Sequence, residues 1–588
     1  MKNYLKTLYG ITSEDFPFIA LMVFYALVIY SNMFIGYNQF DEGATLYASL
    51  RAFNGELPYR DFWAFYLPGQ YYIIALIYKL FSVSLMPVRI FGALINFLLP
   101  ALVYLLTLKV SGKKQAFTGA LLTAFSMSIW GPSYAYGSTI AVFCAFVSLY
   151  FFIGHLSSRN AGKLLLAGAI AGLTLFIRQD LGVYLFVACL AVLLVSVEGR
   201  KQAFKYILAF CFVLGAAMAY FAVQCGLETI FQHTFVFPFY VWRPGRHIEF
   251  PALTLRFGVI PFYLPLFILA AVSGFLADSW FRLRAFAEKE AITLAIAVTA
   301  MLFANYTLMR ADGIHLLPVS AAAYILVPFV LKSCLELKNK YMGLTAHSFV
   351  IFLVIAAMLS YYGLAIRRLP ISLWYLALTA ASTAYLLYSA VREINAADLP
   401  KKWIIKDALL MFTAVILFQF CRFPLSKISP HVLLGINHPY TAPSAIPRSR
   451  GIYLTTGSED STRKTVEYIK ARTSPTEKIF VGNARHDSMG MNNILFYFLS
   501  ERQCATRYQE LHTGVATIEP VQKEIAEELA SKHIRYIVID RFMMDDGPDA
   551  AAGSKYLDIW IHSRYKKVFS SGQFDVLYCA DPRRFTAP

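Results

Sequence analysis

Charged residues are scarce in this chain of 588 residues. Asp, Glu, Lys and Arg together make up 15% of it, whereas apolar residues make up 58%. A soluble globular protein carries about 25% charged residues, so this composition excludes an ordinary soluble enzyme. Glycine and proline, at 33 and 25 residues, stay near average usage, which excludes collagen-like and low-complexity sequence. Most of the chain is therefore expected to lie in a lipid bilayer.

Signatures of several common active sites are also missing. The eight cysteines form no CxxC pair, which argues against a zinc or redox site. Cys504 and Cys579 lie outside the apolar runs, and the sequence leaves their pairing open. There is no Walker phosphate loop, no HExxH zinc motif and no GxSxG nucleophile turn. The sequence therefore supports no particular metal site and no resident cofactor, and it leaves a requirement for a divalent metal open.

Long apolar runs dominate what is present. The first run, Phe16 to Gly36, follows two lysines, is long enough to span a bilayer and lacks a small-residue cleavage site. It predicts an uncleaved first membrane helix. Twelve further runs bring the predicted number of spans to thirteen. They cover about 88–108, 116–130, 137–156, 164–177, 181–197, 203–225, 257–277, 290–308, 314–331, 346–366, 371–391 and 407–421.

The positions of lysine and arginine predict the orientation. The net charge of +17 would indicate nucleic-acid binding in a soluble protein, but here most cations lie in short loops between apolar runs. If the additional run 68–82 does not span, these loops face the cytoplasm, as the positive-inside rule requires. Counting 68–82 as a span inverts all of them. We therefore predict that 68–82 is a membrane-surface or re-entrant helix, with Arg367 and Arg368 as the exception outside.

The same count places the C terminus on the outer side. Beyond the membrane part, 1–421, prolines mark a linker over 422–450, and 451–588 has the alternation of a small α/β domain. The predicted fold class is thus a polytopic α-helical membrane protein with a C-terminal extracytoplasmic α/β domain. Its predicted strands are Lys478–Val481, Arg535–Ile539 and Phe574–Tyr578, and its predicted helices are Thr462–Arg472 and Ile518–Ser531.

Unusual polar residues collect on the predicted outer side, beginning with the loop 37–87. Asp41 and Glu42 directly follow the first span, where an amphipathic stretch begins. Aspartate is a good helix N-cap. A carboxylate at the apolar boundary is also a good general base, because desolvation makes it more basic. The sequence leaves both interpretations open, and they are compatible.

Two further outer loops are short and charged. Arg178 and Asp180 lie between two apolar runs with almost no loop, and Arg310, Asp312 and His315 occur in a similar place. Ionisable groups this close to a helix bundle often mark a functional site. Structural ion pairs at the membrane surface explain the same residues equally well.

A fourth outer loop combines cations with aromatic residues. Arg243, Arg246 and His247 follow a segment that contains five aromatic side chains. This mixture fits an interfacial lid over an anionic lipid. It also fits a plain aromatic belt at the lipid headgroups.

The first outer loop resembles that of the GT-C membrane glycosyltransferases. Asp41-Glu42-Gly43 is followed by an alanine-rich helix, then by Pro58-Tyr59-Arg60-Asp61-Phe62 and by Pro68-Gly69-Gln70-Tyr71-Tyr72. This order is similar to the branch that contains the protein O-mannosyltransferases and the lipid A aminoarabinose transferase. The resemblance covers the membrane part, about residues 1–421.

The resemblance implies transfer of a sugar from a polyprenyl-phosphate donor to a lipid, glycan or protein acceptor, by inverting single displacement. It implies that Asp41 is the catalytic base, with its neighbour Glu42 as the second catalytic candidate. Related enzymes often carry a lysine before the proline of the aromatic segment, where this chain has Leu67, so arginines must meet the phosphate charge. The candidates are Arg60, Arg178, Arg243, Arg246 and Arg310 for phosphate, and Asp61, Tyr66, Asp180, Asp312 and His315 for substrate.

Two other functions remain open at this point. A flippase for a polyprenyl-linked glycan would also have many spans, but it should show repeats or broken helices at mid-membrane. A non-catalytic envelope-assembly protein would use the outer domain to bind partners. The enzyme interpretation predicts a multi-pass protein of the bacterial inner membrane, with its C-terminal domain on the periplasmic face.

Overall fold

Helices fill the apolar runs of the sequence. The computed structural model describes residues 14–195, 199–242, 248–251, 260–283, 286, 288–336, 440–488, 490–512, 514–542 and 553–581. Each predicted span that falls on these residues coincides with a helix. The predicted spans 346–366, 371–391 and 407–421 lie outside the described residues, as does 422–439 of the predicted linker.

The described helices of the membrane part run in chain order from α1 to α13. Four of them, at Leu85–Val110, Gly137–Ser158, Lys201–Cys225 and Glu288–Met309, are long and apolar enough to cross a membrane. This confirms the predicted helical membrane class, whereas the number of spans stays a prediction.

The helices are α1 Phe16–Asn32, α2 Asp41–Phe53, α3 Gly69–Leu80, α4 Leu85–Val110, α5 Lys113–Trp130, α6 Gly137–Ser158, α7 Ala161–Ile177, α8 Gln179–Val195, α9 Gly199–Cys225, α10 Leu227–Phe231, a π-helix Gln232–Trp242, α11 Ile260–Leu283, α12 Glu288–Met309 and α13 Gly313–Glu336.

The run 68–82 forms the short helix α3. It has 12 residues, so it is about 18 Å long at 1.5 Å per residue, well short of the ~30 Å hydrocarbon core. It begins at Gly69, which passes so close to α7 that an added Cβ would lie 2.6 Å from the carbonyl oxygen of Phe176. A helix of this length does not span a bilayer by itself, in keeping with the predicted surface or re-entrant position.

Small residues set the close packing of α7 on α9. Gly168 and Gly172, four residues apart, lie on one face of α7. An added Cβ would come within 2.5 Å of the Tyr206 carbonyl oxygen at the first position and 2.7 Å of the Phe210 carbonyl oxygen at the second. Small residues at this spacing let two membrane helices approach closely. The two glycines of α7 therefore determine how closely α9 packs against this helix.

The C-terminal part is an α/β domain built on a five-stranded sheet. The strand order is β4-β3-β5-β7-β6, in which β4, β3 and β5 are parallel and β7 and β6 run antiparallel to their neighbours. The elements are β1 Ala442–Pro443, β2 Tyr453–Leu454, α14 Thr456–Arg472, β3 Lys478–Asn483, α15 Leu495–Ser500, β4 Gln503–Cys504, α16 Glu519–Ser531, β5 Tyr536–Asp540, α17 Tyr556–Arg564, β6 Lys566–Ser571 and β7 Phe574–Tyr578.

The three predicted strands and two predicted helices all appear in this domain. The strand β6 was missed because it lies at the sheet edge with mostly exposed residues, beginning with Lys566 and Lys567. Exposed, charged edge strands lack the apolar alternation that identifies a strand. Cys504 and Cys579 are both free thiols, on β4 and just beyond β7, with β3 and β5 between them.

The domain is hydrogen-bonded to the end of α1. The backbone N–H of Tyr453 donates to the Phe34 carbonyl at 2.7 Å, and the N–H of Gly36 donates to the Tyr453 carbonyl at 2.9 Å. Residues 440–450, the end of the predicted linker, include β1 and a 3₁₀ turn at Pro447–Ser449. The described end of the linker is therefore structured, and it contacts the membrane part where the Tyr37 hydroxyl lies 2.8 Å from Ser444 Oγ and 2.7 Å from Ser449 Oγ.

A second contact joins α15 to the start of α2. The Leu495 N–H donates to the Gln39 carbonyl at 3.3 Å, and Asn493 Nδ2 donates to Gln39 Oε1 at 3.1 Å. Gly43 faces this contact, where an added Cβ would lie 2.5 Å from the backbone nitrogen of Leu495. Only glycine allows the two helices to approach this closely.

We therefore expect Gly43→Ala to lower stability by about 1–3 kcal/mol, as overpacking of a tight contact usually does. The obstacle is backbone, which cannot rotate away. The measurement is thermal unfolding of the purified protein in detergent. Gly457→Ala is the matched control, because an added Cβ there meets nothing within 4 Å. Equal melting temperatures of the two variants would show that the backbone of α15 does not pack tightly against Gly43 of α2.

Candidate active site

Asp41 stands at the first position of α2, and Asn38 caps that helix. Asn38 Oδ1 accepts hydrogen bonds from the backbone N–H groups of Phe40 at 3.1 Å and Asp41 at 2.9 Å. The capping role considered for Asp41 thus belongs to Asn38. The negative charge of Asp41 still benefits from the positive end of the helix dipole. Its Oδ2 accepts a long hydrogen bond of 3.5 Å from the Tyr134 hydroxyl.

Glu42 is buried in an ion pair with Arg89. Its side chain is 2% exposed and that of Arg89 is 1% exposed. Arg89 Nε and Nη2 donate to the two Glu42 oxygens, both at 2.7 Å. Arg89 also donates to the carbonyls of Met33 at 2.9 Å and Gly36 at 2.7 Å. Glu42 therefore ties α2 to α4 and to the end of α1, which is a positioning task, and its catalytic role stays a prediction.

A cavity of about 160 Å³ opens beside Asp41. Its walls come from the first outer loop, from the α7–α8 and α12–α13 junctions, and from the C-terminal domain. The structure brings together residues that lie up to several hundred positions apart in the chain. The predicted site residues that line it are Asp41, Tyr66, Arg178, Arg310, Asp312 and His315.

Arg178 is the most buried cation of this wall, with 4% exposure. Its Nε donates to Asp180 Oδ1 at 3.2 Å, and its guanidinium lies 4.0 Å from the ring centre of Tyr66 and 5.3 Å from that of Tyr306. The described part of the chain places no hydrogen-bond partner on its two terminal nitrogens. Asp180 does not line the cavity, but it orients the arginine that does.

Asp312 holds the α12–α13 junction together. Its Oδ2 accepts from Arg310 Nε at 2.8 Å, and its Oδ1 is 2.7 Å from His315 Nδ1. Burial opposes its charge, but hydrogen bonds from His315 and Arg310 hold the pKa of Asp312 well below its usual range. The carboxylate stays ionised and fixes both partners, and the His315 ring stacks on Tyr306 at 4.5 Å.

Arg60 and Asp61 are not brought to the cavity. Arg60 Nε and Nη2 donate to the two Asp61 oxygens at 2.9 and 2.8 Å, and the arginine side chain is 46% exposed. Asp61 Oδ2 also accepts from the Leu57 N–H at 2.7 Å. The pair stabilises the outer loop, so the predicted phosphate and substrate roles of these two residues are not supported. Arg246, with its neighbours Arg243 and His247, lies outside the described residues.

Leu67 occupies the place where related enzymes often have a lysine. It is buried, at 7% exposure, and its N–H donates to Gln179 Oε1 at 3.2 Å. Gln179 Nε2 donates in turn to the Phe65 carbonyl at 2.9 Å. The residue beside Arg178 thus pins the aromatic segment, and with it Tyr66, against the α7–α8 junction.

The C-terminal domain contributes three wall residues that the sequence did not indicate. They are Met491, Glu510 and His512. Glu510 Oε2 lies 2.9 Å from His512 Nε2, and both residues are buried, at 4% and 3% exposure. Neither residue belongs to a motif or an apolar run, so no local signal could have found them. Arg89 is a different case. It lies inside an apolar run, where an ionisable residue is itself a local signal of a paired or functional charge.

Comparisons with known proteins agree with this architecture. A family model described as dolichyl-phosphate-mannose-protein mannosyltransferase matches residues 67–225. No curated protein matches the chain by sequence. The crystal structure of ArnT from Cupriavidus metallidurans bound to undecaprenyl phosphate is similar at a TM-score of 0.52 and 15% identity, covering 95% of this chain and 97% of that one. Its apo form gives 0.53 and 14%, covering 96% and 98%.

At this level of identity the likeness concerns the fold, and it extends over both the membrane part and the C-terminal domain. The family match falls on the segment that runs from the aromatic segment of the first outer loop to the end of α9. The chain therefore has the fold of the GT-C glycosyltransferases, which confirms the resemblance predicted from its first outer loop.

Proposed function

We propose that this protein is a membrane glycosyltransferase that moves a sugar from a polyprenyl-phosphate donor to an acceptor on the outer face of the membrane. The observation that carries the proposal is the cavity that Asp41, at the start of α2, lines together with the buried Arg178. A similar structure, that of ArnT, holds undecaprenyl phosphate, which supports the donor class.

The chemistry requires one base and a means of stabilising phosphate. Asp41 takes the proton from the acceptor hydroxyl, whose oxygen attacks the anomeric carbon of the sugar. The bond from that carbon to the phosphate oxygen breaks, and the polyprenyl phosphate leaves with the electron pair. A lipid phosphate is a good leaving group, so no second carboxylic acid is needed. A single displacement inverts the anomeric centre, by analogy with inverting glycosidases.

Arg178 is the proposed phosphate ligand. Asp180 and Tyr66 hold its guanidinium in place, so its terminal nitrogens are preorganised to bind two phosphate oxygens. Preorganised cations in a poorly hydrated site stabilise developing charge strongly. Arg310 lines the same cavity and is the proposed second cation.

The acceptor is a lipid, glycan or protein in this proposal, and the donor sugar is a hexose or a pentose. The protein lies in the bacterial inner membrane, with the cavity and the C-terminal domain on the periplasmic side. Support comes from the lysine and arginine distribution.

The test is incubation of the purified full-length protein with a panel of undecaprenyl-phosphate sugars and candidate acceptors. We expect one donor to be consumed, with release of undecaprenyl phosphate detected by mass spectrometry. Movement of a donor across the bilayer of reconstituted vesicles, without any bond cleavage, would replace the enzyme with a flippase. If the protein neither cleaves nor moves any donor, the remaining function is that of a non-catalytic envelope-assembly protein.

Arg178→Lys is expected to weaken donor binding by roughly 10–100-fold, because a charge-assisted hydrogen bond is worth about 1.5–3 kcal/mol. Lysine keeps the charge but loses the planar two-point contact. The measurement is the KM for the donor, with Arg60→Lys as the control of equal chemistry on the exposed surface. An unchanged donor KM would restrict Arg178 to its structural pair with Asp180.

A further inference from the structure

The C-terminal domain reaches the proposed active site through the segment 507–512. The Trp63 N–H donates to the Arg507 carbonyl at 2.9 Å, which attaches this segment to the first outer loop. The ring centre of His512 lies 5.7 Å from that of Trp63 and 5.3 Å from that of Phe65. The segment thus packs against the first outer loop of the membrane part at the edge of the cavity.

A buried asparagine fixes the backbone on both sides of Glu510. Asn492, which is 0% exposed, donates from Nδ2 to the Gln509 carbonyl at 3.0 Å. Its Oδ1 accepts from the Leu511 N–H at 3.0 Å. The same Nδ2 also donates to the Val481 carbonyl of β3 at 2.9 Å, so the segment is tied to the sheet. Glu510 therefore has a defined place in the wall and is not part of a loose loop.

The Glu510 side chain has hydrogen-bonding capacity left over. It is 4% exposed, and within the described residues its one hydrogen-bond partner is His512, through Oε2. A carboxylate has about four acceptor positions, and burying one without donors is costly. Glu510 lines the same cavity as Asp41 and Arg178, so that cavity is where the missing donors would come from.

We propose that Glu510 is a specificity-determining residue that accepts a hydrogen bond from a hydroxyl or amino substituent of the transferred sugar. This inference rests on the proposed function, since it assigns the sugar of the donor to the cavity wall formed by the C-terminal domain. His512 positions the carboxylate through the 2.9 Å contact to Oε2. The domain thereby selects which sugar is transferred, while the membrane part supplies the base and the phosphate ligands.

The test compares the binding of two lipids to the purified full-length protein. Undecaprenyl phosphate without a sugar probes the phosphate site, and a panel of undecaprenyl-phosphate sugars probes the sugar site. We expect the wild-type protein to bind at least one sugar-bearing lipid more tightly than the bare one. Glu510→Gln is expected to lose roughly 10–100-fold in affinity for that lipid, as expected for one hydrogen bond to a charged group. Binding of bare undecaprenyl phosphate is expected to stay unchanged.

Glu524→Gln serves as the control, because Glu524 pairs with the Tyr508 hydroxyl at 2.6 Å outside the cavity. If Glu510→Gln fails to fold, Glu510→Asp keeps the charge and retracts it by one methylene, with the same selective loss expected. Equal loss for both lipids, or no loss for either, would overturn the proposal. The readout is lipid binding, which is measured whether or not the protein transfers a sugar. Failure of the proposed transferase activity is therefore distinguished from failure of the role proposed for Glu510.

Discussion

Replacing Asp41 with asparagine is expected to lower turnover by roughly 10²–10⁴-fold, because the acceptor hydroxyl loses its base. The variant should fold, since Asn38 rather than Asp41 caps α2. Donor affinity should be nearly unchanged, because the proposed phosphate ligands are Arg178 and Arg310. The measurement is the rate of undecaprenyl phosphate release at saturating donor, together with the donor KM.

Asp61→Asn is the matched control for this experiment. Asp61 belongs to the same outer loop but pairs with Arg60 at the surface, away from the cavity. Its turnover should stay close to that of the wild-type protein. If Asp41→Asn turned over at the wild-type rate, Asp41 would not be the base and the mechanism would need another proton acceptor.

Glu42→Gln is expected to lower the free energy of unfolding by about 3–5 kcal/mol, because it leaves the buried Arg89 charge without its partner. The resemblance alone placed Glu42 beside the catalytic base. The structure adds that both Glu42 oxygens hold Arg89 at 2.7 Å. The measurement is thermal or denaturant unfolding of the detergent-purified protein.

A double variant separates charge burial from packing. Glu42→Gln combined with Arg89→Met removes both charges, and we expect it to recover part of the lost stability. Asp460→Asn is the surface control, since Asp460 and Lys464 form an exposed pair on α14 and its loss should leave the melting unchanged. A Glu42→Gln protein that melts like the wild type would show that this ion pair does not hold α1, α2 and α4 together.

The position of Asp41 at the head of a helix could be predicted, but its surroundings could not. Hydropathy and periodicity are local properties, so the apolar helices and the strands β3, β5 and β7 were predicted close to their observed bounds. The pairing of Glu42 with Arg89 joins residues 47 positions apart. Such a pairing depends on how α2 packs against α4, which no local pattern specifies.

The fates of the predicted cations illustrate the same division. Arg60 and Arg178 are both arginines two or fewer positions from an aspartate in an outer loop. One forms an exposed pair at the surface, and the other lies buried against Tyr66 in the cavity wall. Their sequence contexts are alike, and burial alone distinguishes them, because burial depends on the neighbouring helices.

The amino-acid sequence by itself determined that this is a helical membrane protein, where most of its helices lie, and that a carboxylate follows the first of them. These features arise from composition and from contacts within a few residues. Only the tertiary structure decided that Asn38 caps α2, that Glu42 is paired, and that Glu510 and His512 enter the cavity from the far end of the chain. The cap depends on the course of the chain just before α2, and the ion pair depends on how α2 packs against α4. The entry of Glu510 and His512 into the cavity depends on the packing of the two domains, whose contacting residues are separated by hundreds of positions.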